Sequence, residues 1–223
     1  MYDRIMVISD IHGKWDRFMS LYQKINFNPA KDFLIFLGDY IDRGEKPLHV
    51  LDWMYEHRKE KSIVMLRGNH EQMMLNYYRS GGSDHTWLWN GGNKLRKVLE
   101  HQPPRALEEC LRFLDSLPLY HRMKIQCKDY FFCHAGILPN VPLEKQSEKD
   151  LLWIREDFYK NYNGSTTVVV GHTPMFYLKR EPVPWIMSDR NIIMMDTGSF
   201  VEKGCISCMD LISGKIWQSE DPK

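Results

Sequence analysis

Asp10-Ile11-His12-Gly13 sets a carboxylate and an imidazole two positions apart, just past an apolar run. Alternation along an extended chain sends both side chains to one side, where they can converge on a single cation. Five more strings carry groups of related kind: Gly38-Asp39-Tyr40-Ile41-Asp42-Arg43-Gly44, Arg67-Gly68-Asn69-His70-Glu71, His134-Ala135-Gly136, Gly171-His172-Thr173 and Asp196-Thr197-Gly198. The two oxygens of Asp39 can bridge two cations. Asn69 offers an amide oxygen, and His134 and His172 offer ring nitrogens. Arg43 adds a cation that can hold phosphate, and His70 with Asp42 makes a spare pair for proton transfer. Each residue alone reads equally as a strand-end cap or a satisfied histidine. Six such strings in order point to one metal centre that acts on phosphate.

Something must bring those strings together. Ile5-Met6-Val7-Ile8, Phe33-Leu34-Ile35-Phe36-Leu37 and Ile63-Val64-Met65-Leu66 read as buried strands. Helical spacing follows each of them: Trp15, Phe18, Leu21, Tyr22 and Ile25; then a helix from near Pro47 with Leu48, Leu51, Trp53 and Met54; then a helix over 71–78. Three strand-loop-helix units predict an α/β sheet whose functional loops lie beyond the strands' carboxyl ends. The middle differs. Turn chemistry at Gly81-Gly82-Ser83-Asp84 and Asn90-Gly91-Gly92-Asn93, with helices over 95–99 and 106–117, suggests a small helical cap. Strands then resume: a hairpin of 120–127 and 130–133 across Lys128-Asp129, and strands over 166–170, 192–195, 204–210 and 215–218. A helix is expected over 151–158.

At 223 residues the chain suits one compact domain, and 43% hydrophobic content supplies its core. The charge balance of 30 basic to 29 acidic residues gives no electrostatic case for nucleic acid or a membrane surface. No apolar run approaches the ~18 residues that span a bilayer. Met1-Tyr2-Asp3-Arg4-Ile5 does not read as a leader peptide, so a reducing cytoplasm is the expected location. The five cysteines are an odd number without framework spacing. Cys205 and Cys208 fall in an expected strand, on opposite faces, and read as ordinary thiols instead of a metal or redox pair.

The order and wording of the strings resemble the phosphoprotein phosphatase family of calcineurin-like metallophosphoesterases. They are most similar to its small bacterial and phage branch, typified by bacteriophage lambda protein phosphatase. The resemblance runs from residue 4 to about residue 212. Gly38-Asp39 through Asp42-Arg43-Gly44 and Arg67-Gly68-Asn69-His70-Glu71 are specific signatures. Asn69 to Met74 and Trp89-Asn90-Gly91-Gly92 are similar to stretches of the phage branch. Ser9 stands where the family usually has Gly, and Ala135 where eukaryotic members carry Gly.

The resemblance implies an α/β fold: a metallophosphoesterase-type β-sandwich of mixed sheets flanked by helices, with a small helical cap. It implies one catalytic domain over 1–223, with a helical and loop insert at about 80–118. One metal would be held by Asp10, His12 and Asp39, the other by Asp39, Asn69, His134 and His172, about 3.5–4 Å apart. The mixed oxygen and nitrogen ligands suit Mn²⁺, Fe or Zn better than Ca²⁺, and the family often uses Mn²⁺. The reaction implied is direct hydrolysis of a phosphate monoester by a metal-bridging hydroxide, with a phosphoprotein or phosphopeptide as substrate. His70 would protonate the leaving alkoxide, oriented by Asp42, while Arg43 and Arg155 would hold phosphate oxygens. Arg67 reads as loop scaffolding, and Trp87 and Trp89 either line the mouth of the site or cover the sheet. The leading function is thus a metal-dependent protein serine/threonine phosphatase, with phosphotyrosine as a further substrate. The rival on the same site is a dinucleoside tetraphosphate hydrolase, whose members commonly show Asn-His-Asp and lack the Asp of Asp-Arg-Gly. This chain has Glu71 and Asp42. A non-catalytic phosphate-binding module would have lost ligands or the acid, and here all are present.

Overall fold

The computed structural model describes residues 2–221. β1 (Arg4–Ile8), α1 (Trp15–Ile25), β2 (Asp32–Phe36), α2 (Pro47–His57), β3 (Ile63–Met65) and α3 (Asn69–Arg79) form the three leading units. A π-helical turn (Leu88–Gly92), α4 (Asn93–Leu99) and α5 (Pro104–Ser116) follow, the latter started by a proline in its first turn. Then come β4 (Tyr120–Ile125), β5 (Lys128–Cys133), α6 (Glu148–Trp153), α7 (Glu156–Asn161), β6 (Thr167–Val170), β7 (Trp185–Met187), β8 (Ile192–Met194), β9 (Ser207–Asp210) and β10 (Ile216–Gln218).

The strands make two five-stranded mixed sheets, of order β10-β9-β1-β2-β3 and β4-β5-β6-β8-β7. Alternation explains why both faces of each are apolar. Ile5 and Val7 of β1 and Phe33 and Ile35 of β2 meet Phe132, Val169 and Ile193 between the sheets. Their neighbours Met6, Ile8, Leu34 and Phe36 point outward into a core with Phe18, Leu21, Trp53 and Met54 of α1 and α2. On the far side, Phe131, Cys133, Val168 and Val170 pack with Leu151 and Phe158 of α6 and α7. The result is a β-sandwich flanked by helices, as expected. β1, β2 and β3 are parallel, as are β5, β6 and β8.

Several boundaries differ from the reading of the sequence. The β4–β5 turn is Gln126-Cys127, both at positive φ, and not Lys128-Asp129, because Ile125 pairs with Lys128. The helix expected over 151–158 breaks into α6 and α7 where Ile154 is extended and Arg155 leaves helical geometry. β7 has three residues preceded by Pro182 and Pro184 and gave no pattern. Cys205 precedes β9 and contacts Gln218 Nε2 at 3.0 Å, whereas Cys208 is buried in the core. Among the described residues no helix is long and apolar enough to cross a membrane.

Candidate active site

The six strings follow β1, β2, β3, β5, β6 and β8 and meet at the carboxyl ends of these strands. Asp10, His12, Asp39, Asp42, Arg43 and His172 all have φ between 48° and 72°. Left-handed backbone costs a non-glycine residue about 1–3 kcal/mol, and it persists only where the surroundings over-determine it. Here the loops brace one another. His12 N donates to Asp39 O at 2.9 Å and Gly13 N to Tyr40 O at 2.8 Å. Glu71, in the first turn of α3, accepts from Gly68 N at 2.8 Å and from Asp39 N and Tyr40 N at 2.9 Å. Burial and the neighbouring Asp39 push its carboxyl up to about 7.

Three buried rings have their Nδ1 committed to an acceptor in the chain. His134 Nδ1 meets Leu37 O at 2.9 Å, His12 Nδ1 meets Ile41 O at 3.2 Å, and His70 Nδ1 meets Asp42 Oδ2 at 2.7 Å. For His12 and His134 those bonds select the tautomer that turns an Nε2 lone pair inward, and for His70 the bond to Asp42 fixes the ring with Nε2 facing the site. Asp39 sits among them. Its Oδ2 lies 3.5 Å from His12 Nε2 and 3.9 Å from His70 Nε2, and its Oδ1 lies 3.4 Å from His134 Nε2. Asn69 Oδ1 stands 2.8 Å from His134 Nε2 and 3.1 Å from His172 Nδ1. Turned over, the same amide would donate to those nitrogens and to Asp39; holding a cation requires the oxygen-inward orientation. His172 Nε2 is buried without a hydrogen-bond partner. Two clusters therefore share Asp39: His12, Asp39 and His70, and Asp39, His134 and His172.

The donor set fits divalent cations. Burial, followed by neighbouring positive groups, pushes His12 and His172 well below the usual imidazole range, which keeps them neutral as ligands must be. Burial opposes ionisation of Asp39, but the imidazoles of His134, His70 and His12 outweigh it and hold the carboxyl below its usual range. A charged, two-oxygen carboxylate beside the neutral rings of His12 and His172 and an amide oxygen is borderline-hard chemistry, suited to Mn, Fe or Zn.

Asp10 is buried beside this group but belongs to neither cluster, although the expected set joined it to His12 and Asp39. Its carboxylate accepts from Ser9 Oγ and from His172 N, the latter at 3.1 Å. Burial and the nearby Asp196 raise its pKa well above the usual range. The approach is close enough that a Cβ at Gly171 would lie 2.1 Å from Asp10 Oδ2. Asp196 is also buried, accepts from Gly198 N at 2.9 Å, and is pushed up to about 7, chiefly by burial.

Two guanidinium groups reach the rim. Arg43 extends Nη1 to His12 Nε2 and Nη2 to His70 Nε2, both at 3.0 Å, with its plane 4.1 Å over the ring of Phe200. Arg155, exposed in the break between α6 and α7, donates to His172 O at 2.8 Å and Thr173 Oγ1 at 3.1 Å. Arg67 turns away, donating to Gln72 Oε1 at 2.8 Å and to carbonyls at the end of α5, as scaffolding would. Trp89 is 81% exposed, while Trp87 is buried with its indole N–H on Asp42. Phe200 was not anticipated: it follows the Asp196-Thr197-Gly198 string, but a lone aromatic carries no spacing signal.

A family model described as calcineurin-like phosphoesterase matches residues 3–195. Serine/threonine-protein phosphatase 1 of Salmonella typhimurium is 29% identical over 201 residues, covering 87% of this chain and 86% of its own. An asymmetrical bis(5'-nucleosyl)-tetraphosphatase of Bacillus cereus is 27% identical over 197 residues, covering 76% of this chain and 78% of its own. Among solved structures, the cold-active protein-tyrosine phosphatase of a psychrophilic Shewanella species superposes with a TM-score of 0.66 at 20% identity. It covers 99% of this chain and 81% of the other, a likeness of fold.

Proposed function

The chain belongs to the calcineurin-like phosphoesterase family, and we propose that it is a metal-dependent protein serine/threonine phosphatase that also accepts phosphotyrosine. The observation that carries this reading is the His70–Asp42 pair, 2.7 Å apart, beside the Asp39 clusters and under the Arg43 guanidinium. The likeness to serine/threonine phosphatases over most of both chains supports it. Asp10, His12 and Asp39 would hold one ion, and Asp39, Asn69, His134 and His172 the other, with Mn²⁺ the native choice. When bound, two divalent ions supply Lewis-acid stabilisation and an activated water, so no phosphoenzyme is needed. The chain's own residues do the rest. Arg43 and Arg155 grip the non-bridging phosphate oxygens, and His70, oriented by Asp42, gives its proton to the leaving alkoxide. A cytoplasmic location goes with this reading.

Steady-state turnover with Mn²⁺ tests the substrate class. Phosphoserine and phosphothreonine peptides should be hydrolysed at least as well as a phosphotyrosine peptide or an aryl phosphate. A dinucleoside tetraphosphate turned over far better than any phosphopeptide would replace this reading with the tetraphosphatase one.

The clamp gives a second expected result. Arg155→Ala should lower kcat/KM by roughly 10–10³, the loss of ~1.5–4 kcal/mol of charge-assisted contact. Inhibition by free phosphate should weaken with it. Lysine at 155 should restore only part, because it has charge but no planar pair of donors. Arg190, which binds Lys160 O far from the strings, is the control. A near-normal Arg155→Ala in both rate and phosphate inhibition would remove Arg155 from the clamp.

A further inference from the structure

Trp87 is the largest fully buried side chain among the described residues, yet it is not only apolar filling. Its Nε1–H lies 3.0 Å from Asp42 Oδ1 and 2.9 Å from Asp42 Oδ2. Asp42 is itself completely buried, and among the described residues only Trp87 and His70 reach its carboxylate with side-chain donors. A carboxylate torsion is intrinsically broad. One donor would leave the plane free to rock, whereas donors from two directions fix it. The indole is in turn seated by its surroundings. Tyr77 and Tyr78 lie 5.4 and 5.9 Å from it, and Gly92 closes the seat: a Cβ there would come within 2.4 Å of the indole ring. The π-helical turn at 88–92 brings Gly92 back against Trp87 in this way.

We propose that Trp87 is a positioning residue for phosphate-ester hydrolysis: its indole N–H locks the Asp42 carboxylate in the plane that aims His70 at the leaving group. The inference rests on His70 as the proton donor. A group that acts through the acid must matter most when the leaving group needs a proton. Loss of the indole donor should therefore cost turnover of alkyl phosphates and spare aryl phosphates with good leaving groups. A purely structural Trp87 would slow both alike.

The cleanest variant replaces Trp87 site-specifically with β-(3-benzothienyl)alanine, which keeps the bicyclic shape and puts sulfur where the N–H stood. Trp87→Phe and Gly92→Ala, the latter crowding the indole without removing its donor, are the companions. In the metal-loaded protein, kcat on a phosphoserine peptide should fall about 10–100-fold, the size seen when a supporting partner of a functional group is lost. Turnover of 4-nitrophenyl phosphate should stay within about threefold, with KM and the content of two metal ions unchanged. The downfield proton resonance of His70 Nδ1–H should shift. Trp89→Phe, at an exposed position, should change nothing. Combined with His70→Asn, the Trp87 change should add no further loss. Equal losses on both substrates, no loss on either, or an additive double variant would each overturn the inference. A His70→Asn variant that loses equally on both substrates would instead overturn the acid assignment beneath it.

Discussion

Asp39→Asn is expected to abolish most activity and release metal, more completely than a change at any other proposed ligand. Asp39 is the one residue common to both clusters, with an oxygen toward His12 and His70 and the other toward His134. Asparagine preserves the volume and can still accept from His70 N, which now donates to Asp39 Oδ1 at 3.0 Å. The fold should therefore survive, and the circular-dichroism spectrum should match the parent. What the amide lacks is the charge. In the parent, three imidazoles hold this carboxyl ionised against the opposing effect of its burial; in the variant no anion would stand between the two cations. Removing a group that merely supports a ligand typically costs 10–100-fold. Removing the shared anion should exceed that, with kcat/KM down by roughly 10³ or more. Metal analysis of the purified variant should find fewer than two ions per chain. Two retained ions with normal turnover would sink the bridge.

Much of this architecture was readable because each element carried a strong local signal. Met6, Ile8, Leu34 and Phe36 face helices while Ile5, Val7, Phe33 and Ile35 face the other sheet. A strand buried on both sides is a continuous apolar run, and those runs end where the polar strings begin. His12, Asp39, Asn69, His70, His134 and His172 do gather within hydrogen-bonding or ligand distance. The remainder was decided by contacts between distant segments. Nothing in residues 81–93 says that the indole of Trp87 meets Asp42, 45 positions earlier. Apolar cover was a natural reading of a tryptophan between glycine-rich turns, and burial alone agrees with it. The N–H is what distinguishes the two. Phe200 under Arg43 is the same kind of case, since a cation–ring contact has no period in sequence. The split of α6 from α7 was hidden for another reason: neither Ile154 nor Arg155 is a helix-breaking residue type, and the break coincides with Arg155 reaching the distant His172 O.

His70→Asn should separate binding from chemistry. The ring is 1% exposed, so it does not titrate freely with solvent, and its Nδ1 is tied to Asp42. Burial works against its protonated form, but Asp39 and then Asp42 outweigh burial and raise its pKa above the usual imidazole value. A proton held there is available to a leaving oxygen. Asparagine keeps a polar group of similar reach but cannot donate a proton as an acid. General-acid catalysis contributes about 10²–10⁴, so kcat on phosphoserine and phosphothreonine peptides should fall by that factor. On 4-nitrophenyl phosphate the fall should be far smaller, because that leaving group departs as the anion. KM should move little, since the guanidinium groups of Arg43 and Arg155 are intact, although Arg43 loses the Nε2 it now meets at 3.0 Å. Metal content should stay at the parental value, because His134, His172, Asn69 and Asp39 are untouched. Loss of one ion would place His70 among the ligands, as its proximity to His12 and Asp39 allows. With both ions present and the rate lost equally for good and poor leaving groups, His70 would be a structural neighbour of the centre instead of its acid.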